Sequence, residues 1–291
     1  MLRFRLELSP FLGPPVGASG PAATGGTETV IDDGGTYYRV HAFTGDGTLT
    51  FSRDTDVEYL IVAGGGSGGE VHQYESAGGG GAGGLLTNVG GTLRSVTSGA
   101  KLITVGDGGQ VILDETEKRI GTPGEDSTFD GLTAFGGGGG YAQNFTVGST
   151  SDINGGSGGG INIGSSLGTP GQGNDGGVYA PGGAGGGGAG AVGGSDPDRF
   201  GGDGLSNDIT GTDVTYAGGG AGIDNPTTTT DAGLGGAGGG GDYTSVNGVD
   251  GLGGGGAGGG YNAGYSVPAG SGGSGIVIVR YEITEAEYLA A

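Results

Sequence analysis

Between residues 64 and 260 the chain carries eight glycine-dominated runs, at 64–69, 78–84, 136–140, 155–160, 182–190, 218–222, 235–241 and 253–260. Few backbone arrangements suit such runs. An α-helix is penalised by about 1 kcal/mol per Gly relative to Ala, and a sheet of bare glycine offers no side chains to pack. Extended left-handed helices of three residues per turn remain, but they form no internal hydrogen bonds. Glycine lets neighbouring helices approach until N–H and C=O groups bond between them. Ordering each residue costs about 1–2 kcal/mol and each hydrogen bond returns about 1 kcal/mol net, so only a bundle with many mutual contacts is stable. The runs therefore predict packed polyglycine II helices, capped by a β-rich base. Eight residues at roughly 3.1 Å each give a bundle height of about 25 Å.

Composition removes the competing readings. Glycine supplies 84 of 291 residues, but in runs rather than at every third position, and with ten prolines this excludes collagen. A fluid glycine linker would lack the apolar strand-like segments found near both ends. Ten basic against 31 acidic residues give a net charge of −21, and Arg199 is the single basic residue between Arg119 and Arg280. Nucleic-acid binding, which needs clustered cations, is excluded. The absence of cysteine excludes disulfides and thiolate metal sites. No stretch reaches the roughly 18 apolar residues of a membrane span, and the first residues lack the pattern of a secretory signal. A soluble chain without a secretory signal is expected.

Outside the runs, the sequence reads as strands. Leu2 to Leu8 alternates Leu2, Phe4, Leu6 and Leu8 with Arg3, Arg5 and Glu7, an amphipathic strand. Ser9 to Gly35, with Pro10, Pro14, Pro15 and Pro21, reads as an extended arm. Tyr37 to Phe43 and Thr48 to Phe51, joined by Thr44-Gly45-Asp46-Gly47, predict a β-hairpin, followed by a buried strand at Val57 to Ala63. Further strands are expected at Leu102 to Val105, Gln110 to Leu113, Thr133 to Phe135 and Ile276 to Tyr281, the last returning to the sheet begun by Tyr37. Thr284-Glu285-Ala286-Glu287 suits a helix capping box. The expected class is mainly β with an irregular glycine-rich core: a small sheet or sandwich base, a polyglycine II bundle and almost no α-helix. Its expected divisions are an N-terminal strand and arm at 1–36, a glycine-rich domain at 37–281 and a tail at 282–291.

The ordered series Y-Y-R-V-H-A-F-T-G-D-G-T-L-T-F (Tyr37 to Phe51), V-E-Y-L-I-V-A-G-G-G-S-G-G (Val57 to Gly69), G-G-G-G-A-G-G-L-L (Gly78 to Leu86), L-I-T-V-G-D-G-G (Leu102 to Gly109), repeated G-G-G-A-G and the closing G-G-S-G-I-V-I-V-R-Y (Gly272 to Tyr281) resembles the glycine-rich domain of bacteriophage tail fibres and adhesins. The resemblance implies a layered sandwich of polyglycine II helices whose loops contact a host surface, through a glycan or an outer-membrane protein. It also implies a virion location, with synthesis in the host cytoplasm. Residues 1–36 would then join other virion proteins, with Leu2, Phe4, Leu6, Leu8 and Phe11 as anchoring candidates. Fibres of this kind commonly trimerise, but a glycine bundle also closes within one chain. A capsid-decorating or head-fibre spacer is the alternative.

Several apparent chemical motifs compete with packing roles. Gly64, Gly66 and Gly69 form G-x-G-x-x-G after a strand, but Glu70-Val71-His72-Gln73-Tyr74 and another glycine run follow instead of a helix, so packing glycine is favoured over dinucleotide binding. Gly202-Asp203-Gly204-Leu205 lacks a second nine-residue copy in register; calcium at scattered loop aspartates stands as an alternative to their being turn residues. His41 and His72 are too few for a metal cluster, and His41 reads as a sheet-face residue. With 31 acids, paired carboxylates arise by chance, so a two-carboxylate glycosidase is disfavoured and neither catalysis nor a cofactor is expected. Tyr141, Phe145, Tyr179, Phe200, Tyr216, Tyr243, Tyr261 and Tyr265 lie in or beside segments between runs. They are contact candidates, because tyrosine suits binding surfaces, weighed equally against capping the bundle ends. Candidate contact loops are Tyr141 to Asn154, Asp196 to Thr215, Ile223 to Ala232 and Asp242 to Asp250.

Overall fold

Apolar alternation in the non-glycine segments and hydrogen-bond demand in the glycine runs produce two different kinds of order in one chain. A computed structural model describes residues 20–71, 75–112, 120–142, 152–179, 182–195, 197–223, 233–262 and 265–291. Its strands are β1 (Ala23–Thr24), β2 (Thr27–Asp33), β3 (Thr36–Phe43), β4 (Gly47–Phe51), β5 (Thr55–Val62), β6 (Glu75–Ser76), β7 (Leu85–Thr87), β8 (Arg94–Val96), β9 (Gly99–Thr104), β10 (Ser127–Phe129), β11 (Leu132–Ala134), β12 (Leu205–Asn207), β13 (Val214–Tyr216), β14 (Gly260–Asn262), β15 (Tyr265–Val267) and β16 (Ile276–Ile283). One short helix, α1 (Glu285–Leu289), follows. The fold is mainly β.

A six-stranded antiparallel sheet runs β2-β3-β16-β5-β7, with β8 also paired to β5; a five-stranded sheet runs β1-β4-β9-β10-β11. Alternation along β16 sends Val277, Val279 and Tyr281 to one face and Ile278 and Arg280 to the other. The first face packs with Ile61 against Leu49, Phe51, Ile103 and Phe129 of the five-stranded sheet, forming the main core. The second face carries Val40, Leu60, Val62 and Ile278 against Ile209, Tyr216 and Ala217. Both faces of the central sheet are therefore covered, which suits the unbroken β-branched run Ile276 to Val279.

Three expectations about these segments are corrected. β3 and β4 are not a hairpin: β3 pairs with β2 and β16, while β4 pairs with β1 and β9. The 44–46 turn instead carries the chain from one sheet to the other, and Asp46 Oδ1 fixes it by accepting from Val105 N at 2.9 Å. The second half of the expected arm is sheet: β2 pairs along its whole length with β3, from Thr27↔Ala42 to Asp33↔Thr36. Residues 110–112 are no strand. That segment lies in the bundle, where Gly272 N donates to Gly109 O and Gly65 O accepts from Gly109 N. The strands expected at Val57 to Ala63, Leu102 to Val105, Thr133 to Phe135 and Ile276 to Tyr281 correspond to β5, β9, β11 and β16, and β16 does return to β3; the strand expected at Leu2 to Leu8 lies outside the described residues.

The bundle shows the threefold screw of polyglycine II in its hydrogen bonds. In the segment 64–69, Gly64 and Ser67 donate to Glu125 and Thr122, Gly65 and Gly68 to Gly273 and Gly270, and Gly66 and Gly69 to Gly81 and Gly78. Every third residue of this segment thus addresses the same neighbour, and the segment donates on three sides. Segment 78–84 repeats the pattern: Gly78, Gly81 and Gly84 donate to Tyr141, Gly138 and Phe135, Gly80 and Gly83 to Gly256 and Gly253, and Gly79 and Ala82 to Ala184 and Gly187. The descending numbers mark antiparallel neighbours, and the ascending pair marks a parallel one. Glycine is required sterically: a Cβ on Gly80 would lie 2.1 Å from Gly66 O, and one on Gly79 would lie 2.1 Å from Gly220 O. The G-x-G-x-x-G glycines at 64, 66 and 69 are part of this packing.

Candidate contact surface

Glycine helices continue directly from strands, which orients the bundle. β5 runs into segment 64–69, β11 into 136–140 and β13 into 217–222, whereas 78–84 leads back into β7 and 270–275 into β16. The sheets therefore hold one end, and the chain reverses at the other. At that far end Ala77 bridges to both Ala142 and Ile223, and Ile161 bridges to Val178. The small sheet β15-β14-β6 also lies there.

The aromatic candidates separate by burial. Tyr216 is 3% exposed inside the second core, and Tyr141 is 8% exposed beside Ile153 and Ile161. Burial raises both phenol pKa values above the ordinary 10. These two are packing residues, a correction to the contact expectation: Tyr216 is covered by Val40, Leu60 and Ile278 of the central sheet, and Tyr141 by Ile153 and Ile161. Tyr179 and Tyr243 are half-buried, and Phe200 is exposed. Tyr261 and Tyr265 belong to β14 and β15. Phe145 lies outside the described residues, as do His72 and the anchoring candidates Leu2, Phe4, Leu6, Leu8 and Phe11.

Tyr179, Arg199 and Phe200 gather at the far end. The Arg199 guanidinium carbon sits 5.4 Å from the Tyr179 ring centroid, a cation–π distance. Arg199 adopts φ +45°, a left-handed conformation uncommon outside glycine. Its backbone is held there because Gly222 N donates to Arg199 O and Arg199 N donates to Ser195 O. The next carbonyl, of Phe200, accepts from Gly194 N, so the exposed ring projects from a fixed backbone.

The loop acids and amides mostly serve the bundle itself. Asp203 Oδ1 accepts from Ala237 N at 2.8 Å, Asn247 Oδ1 from Ser271 N at 2.9 Å and Asp250 Oδ1 from Ser274 N at 2.9 Å. Asp242 Oδ1 accepts from Thr244 N, Thr244 Oγ1 and Ser245 N. Burial would raise the Asp242 pKa, but these three bonds outweigh it and hold the carboxyl below its ordinary value. Asp242 thus orders its own turn, while Asn247 and Asp250 cap backbone groups at 271 and 274. Among the described residues no group of three or more His, Asp or Glu is placed to hold a metal ion. His41 is fully buried on the sheet face, with Nδ1 2.8 Å from Gly25 O.

A second surface shares only Asn154 with the expected contact loops. Where β10 and β11 meet the bundle, Pro123, Asp126, Phe135, Asn154, Leu167 and Pro170 line a groove of about 500 Å³. Phe135 reads in sequence as the last residue of a strand, Thr133 to Phe135. Alternation puts it on the outer face: Ala134 is fully buried and Phe135 is 42% exposed, and that period of two is the sign in the sequence.

Two comparisons with known proteins bear on this arrangement. The profile of a family described as a glycine-rich domain matches residues 41–282, from within β3 almost to the end of β16. No curated protein matches the chain.

Proposed function

Because this chain belongs to the glycine-rich domain family, we propose that it is a structural protein of a phage virion, a tail fibre or adhesin that presents the far end of its bundle to a host surface. The sheet end and residues 1–36 face other virion proteins in this reading, and the receptor is a host glycan or outer-membrane protein. The protein performs no chemistry. What carries the reading is the bundle: a scaffold whose contacts are made mainly by backbone, every third residue to one neighbour, leaves the exposed loop positions that do not cap it open to wide change. The resemblance of Tyr37 to Tyr281 to phage fibre domains supports the virion location. Tyr179, Arg199 and Phe200 supply an aromatic and cationic cluster of the type favoured at contact hot spots.

The test is binding of the purified full-length chain to intact bacteria of the strain that supports the phage, with competition against infection. Saturable binding that falls by roughly tenfold in Phe200→Ala, equivalent to about 1.4 kcal/mol, with unchanged thermal unfolding is the expected result. A folded wild-type protein that neither binds cells nor blocks infection would overturn the adhesin reading.

A further inference from the structure

The groove at the sheet–bundle junction has the make-up of a ligand site and lies away from the loop end. Its apolar part is Phe135 and Leu167, 42% and 51% exposed, flanked by Pro123 and Pro170. Its polar part is two side chains held in place from behind. Asp126 Oδ1 accepts from Gly136 N at 2.8 Å, and Asn154 Oδ1 accepts from Leu167 N at 2.7 Å. One oxygen of each is used by the scaffold, which leaves the second Asp126 oxygen as an acceptor and the Asn154 amide N–H groups as donors. The walls are rigid: a Cβ on Gly124 would lie 2.1 Å from Gly64 O and one on Gly136 would lie 1.9 Å from Gly124 O.

We propose that this groove binds a neutral pyranose unit of a surface polysaccharide. A pyranose has one face of C–H groups and a rim of hydroxyls that both donate and accept. The first matches Phe135 and Leu167, and the second matches Asp126 and Asn154. Alternatives fit less well. Anionic sugars and phosphates would meet the Asp126 carboxylate with no cation among the lining residues, and a wholly apolar ligand would cover the second Asp126 oxygen without offering it a donor, at a desolvation cost that its contacts do not repay. The volume lies within the range of small-molecule sites, and preformed polar groups lower the ordering cost of binding.

Saturation-transfer NMR on the full-length chain tests this, with the methyl glycosides of glucose, galactose, mannose and N-acetylglucosamine at millimolar concentration and glucuronate as the anionic control. Transfer to at least one neutral glycoside is expected, with a Kd from titration of the transfer signal raised roughly tenfold in Phe135→Ala, or about 1.4 kcal/mol. Asn154→Asp, which keeps the oxygen that caps Leu167 and loses the donor, should also raise the Kd, and it serves if Phe135→Ala does not fold. No transfer to any neutral glycoside, equal transfer to glucuronate, or transfer unchanged in the folded variants would each overturn the proposal. Cell binding lost in Phe200→Ala but unchanged in Phe135→Ala bears on the far end alone, so this site and the adhesin reading fail separately.

Discussion

Nε of Arg280 lies 2.6 Å from Oε2 of Glu58, and the strand register sets the two residues directly opposite each other on β16 and β5. Both are almost fully buried. Gly90 N donates to the other Glu58 oxygen at 2.9 Å, and the guanidinium also covers the Tyr38 ring at 4.2 Å and reaches Ile209 O at 3.3 Å. This pair ties the central sheet to the loop that seals its second face.

Removing one partner should therefore cost more than the pair contributes. Arg280→Ala strands a buried carboxylate and is expected to lose about 3–5 kcal/mol. Arg280→Met with Glu58→Gln should lose less than the two single changes added together. A double-mutant cycle by urea unfolding reads the coupling directly; additive losses would show that the two groups act independently.

Within the runs, effect should follow space rather than residue type. Gly80→Ala places a methyl 2.1 Å from Gly66 O and should destabilise by about 3 kcal/mol or prevent folding, since the neighbour is backbone and cannot turn aside. Gly45→Ala has no heavy atom within 4 Å and should stay within about 0.5 kcal/mol of wild type. Thermal unfolding of the two variants separates packing glycine from turn glycine.

Burial, opposed by the Gly25 carbonyl bond and Glu28, lowers the His41 pKa below its ordinary 6.5. The unfolded chain therefore takes up a proton first as the solution is acidified. Stability associated with His41 is complete above pH 6.5 and is lost as the pH falls from 6.5 through the lower folded-state value. His41→Gln should flatten that part of the urea-midpoint profile between pH 8 and pH 5; an unchanged profile would contradict the assignment.

The C-terminal helix rests on one capping box. Thr284 Oγ1 accepts from Glu287 N while Glu287 Oε2 accepts from Thr284 N at 2.9 Å, and Tyr288 stacks on Tyr37 with ring centroids 4.7 Å apart. Thr284→Ala should cost about 1 kcal/mol and speed amide exchange in residues 285–289 without moving the main unfolding transition. The bonds from the Thr284 backbone and side chain hold the Glu287 pKa below its ordinary value, so the cap is present above that ordinary value and is lost as pH falls through the lowered one.

Removing a bundle cap should matter more than its exposed position suggests. Asp250→Ala leaves Ser274 N without its 2.9 Å acceptor and should cost about 1.5–3 kcal/mol, the range for a bond to a charged group. Asp250→Asn retains an acceptor and should recover most of that loss in the same unfolding experiment.

Some of this architecture is legible in the residues alone. Glycine runs exclude helix and ordinary sheet by propensity and by the absence of side chains, so the polyglycine II bundle follows from local chemistry. The β-branched alternation of Ile276 to Tyr281 and the Thr284 to Glu287 cap are equally local. Other features depend on the assembled chain. A glycine helix presents the same bare backbone in all three directions, so nothing in Gly78 to Gly84 specifies a parallel neighbour at Ala184 and antiparallel ones at Gly256 and Gly138. The closing strands and the loop caps decide that. A short turn at 44–46 looks like a hairpin because its residues favour turning, but whether β4 pairs with β3 or crosses to β9 is settled by burial of Leu49 and Phe51 in the main core. Likewise Tyr216 and Phe200 have the same kind of sequence surroundings, beside a run, and opposite fates. The tertiary packing buries one under the central sheet and leaves the other in water, because burial is a property of what arrives from elsewhere in the chain.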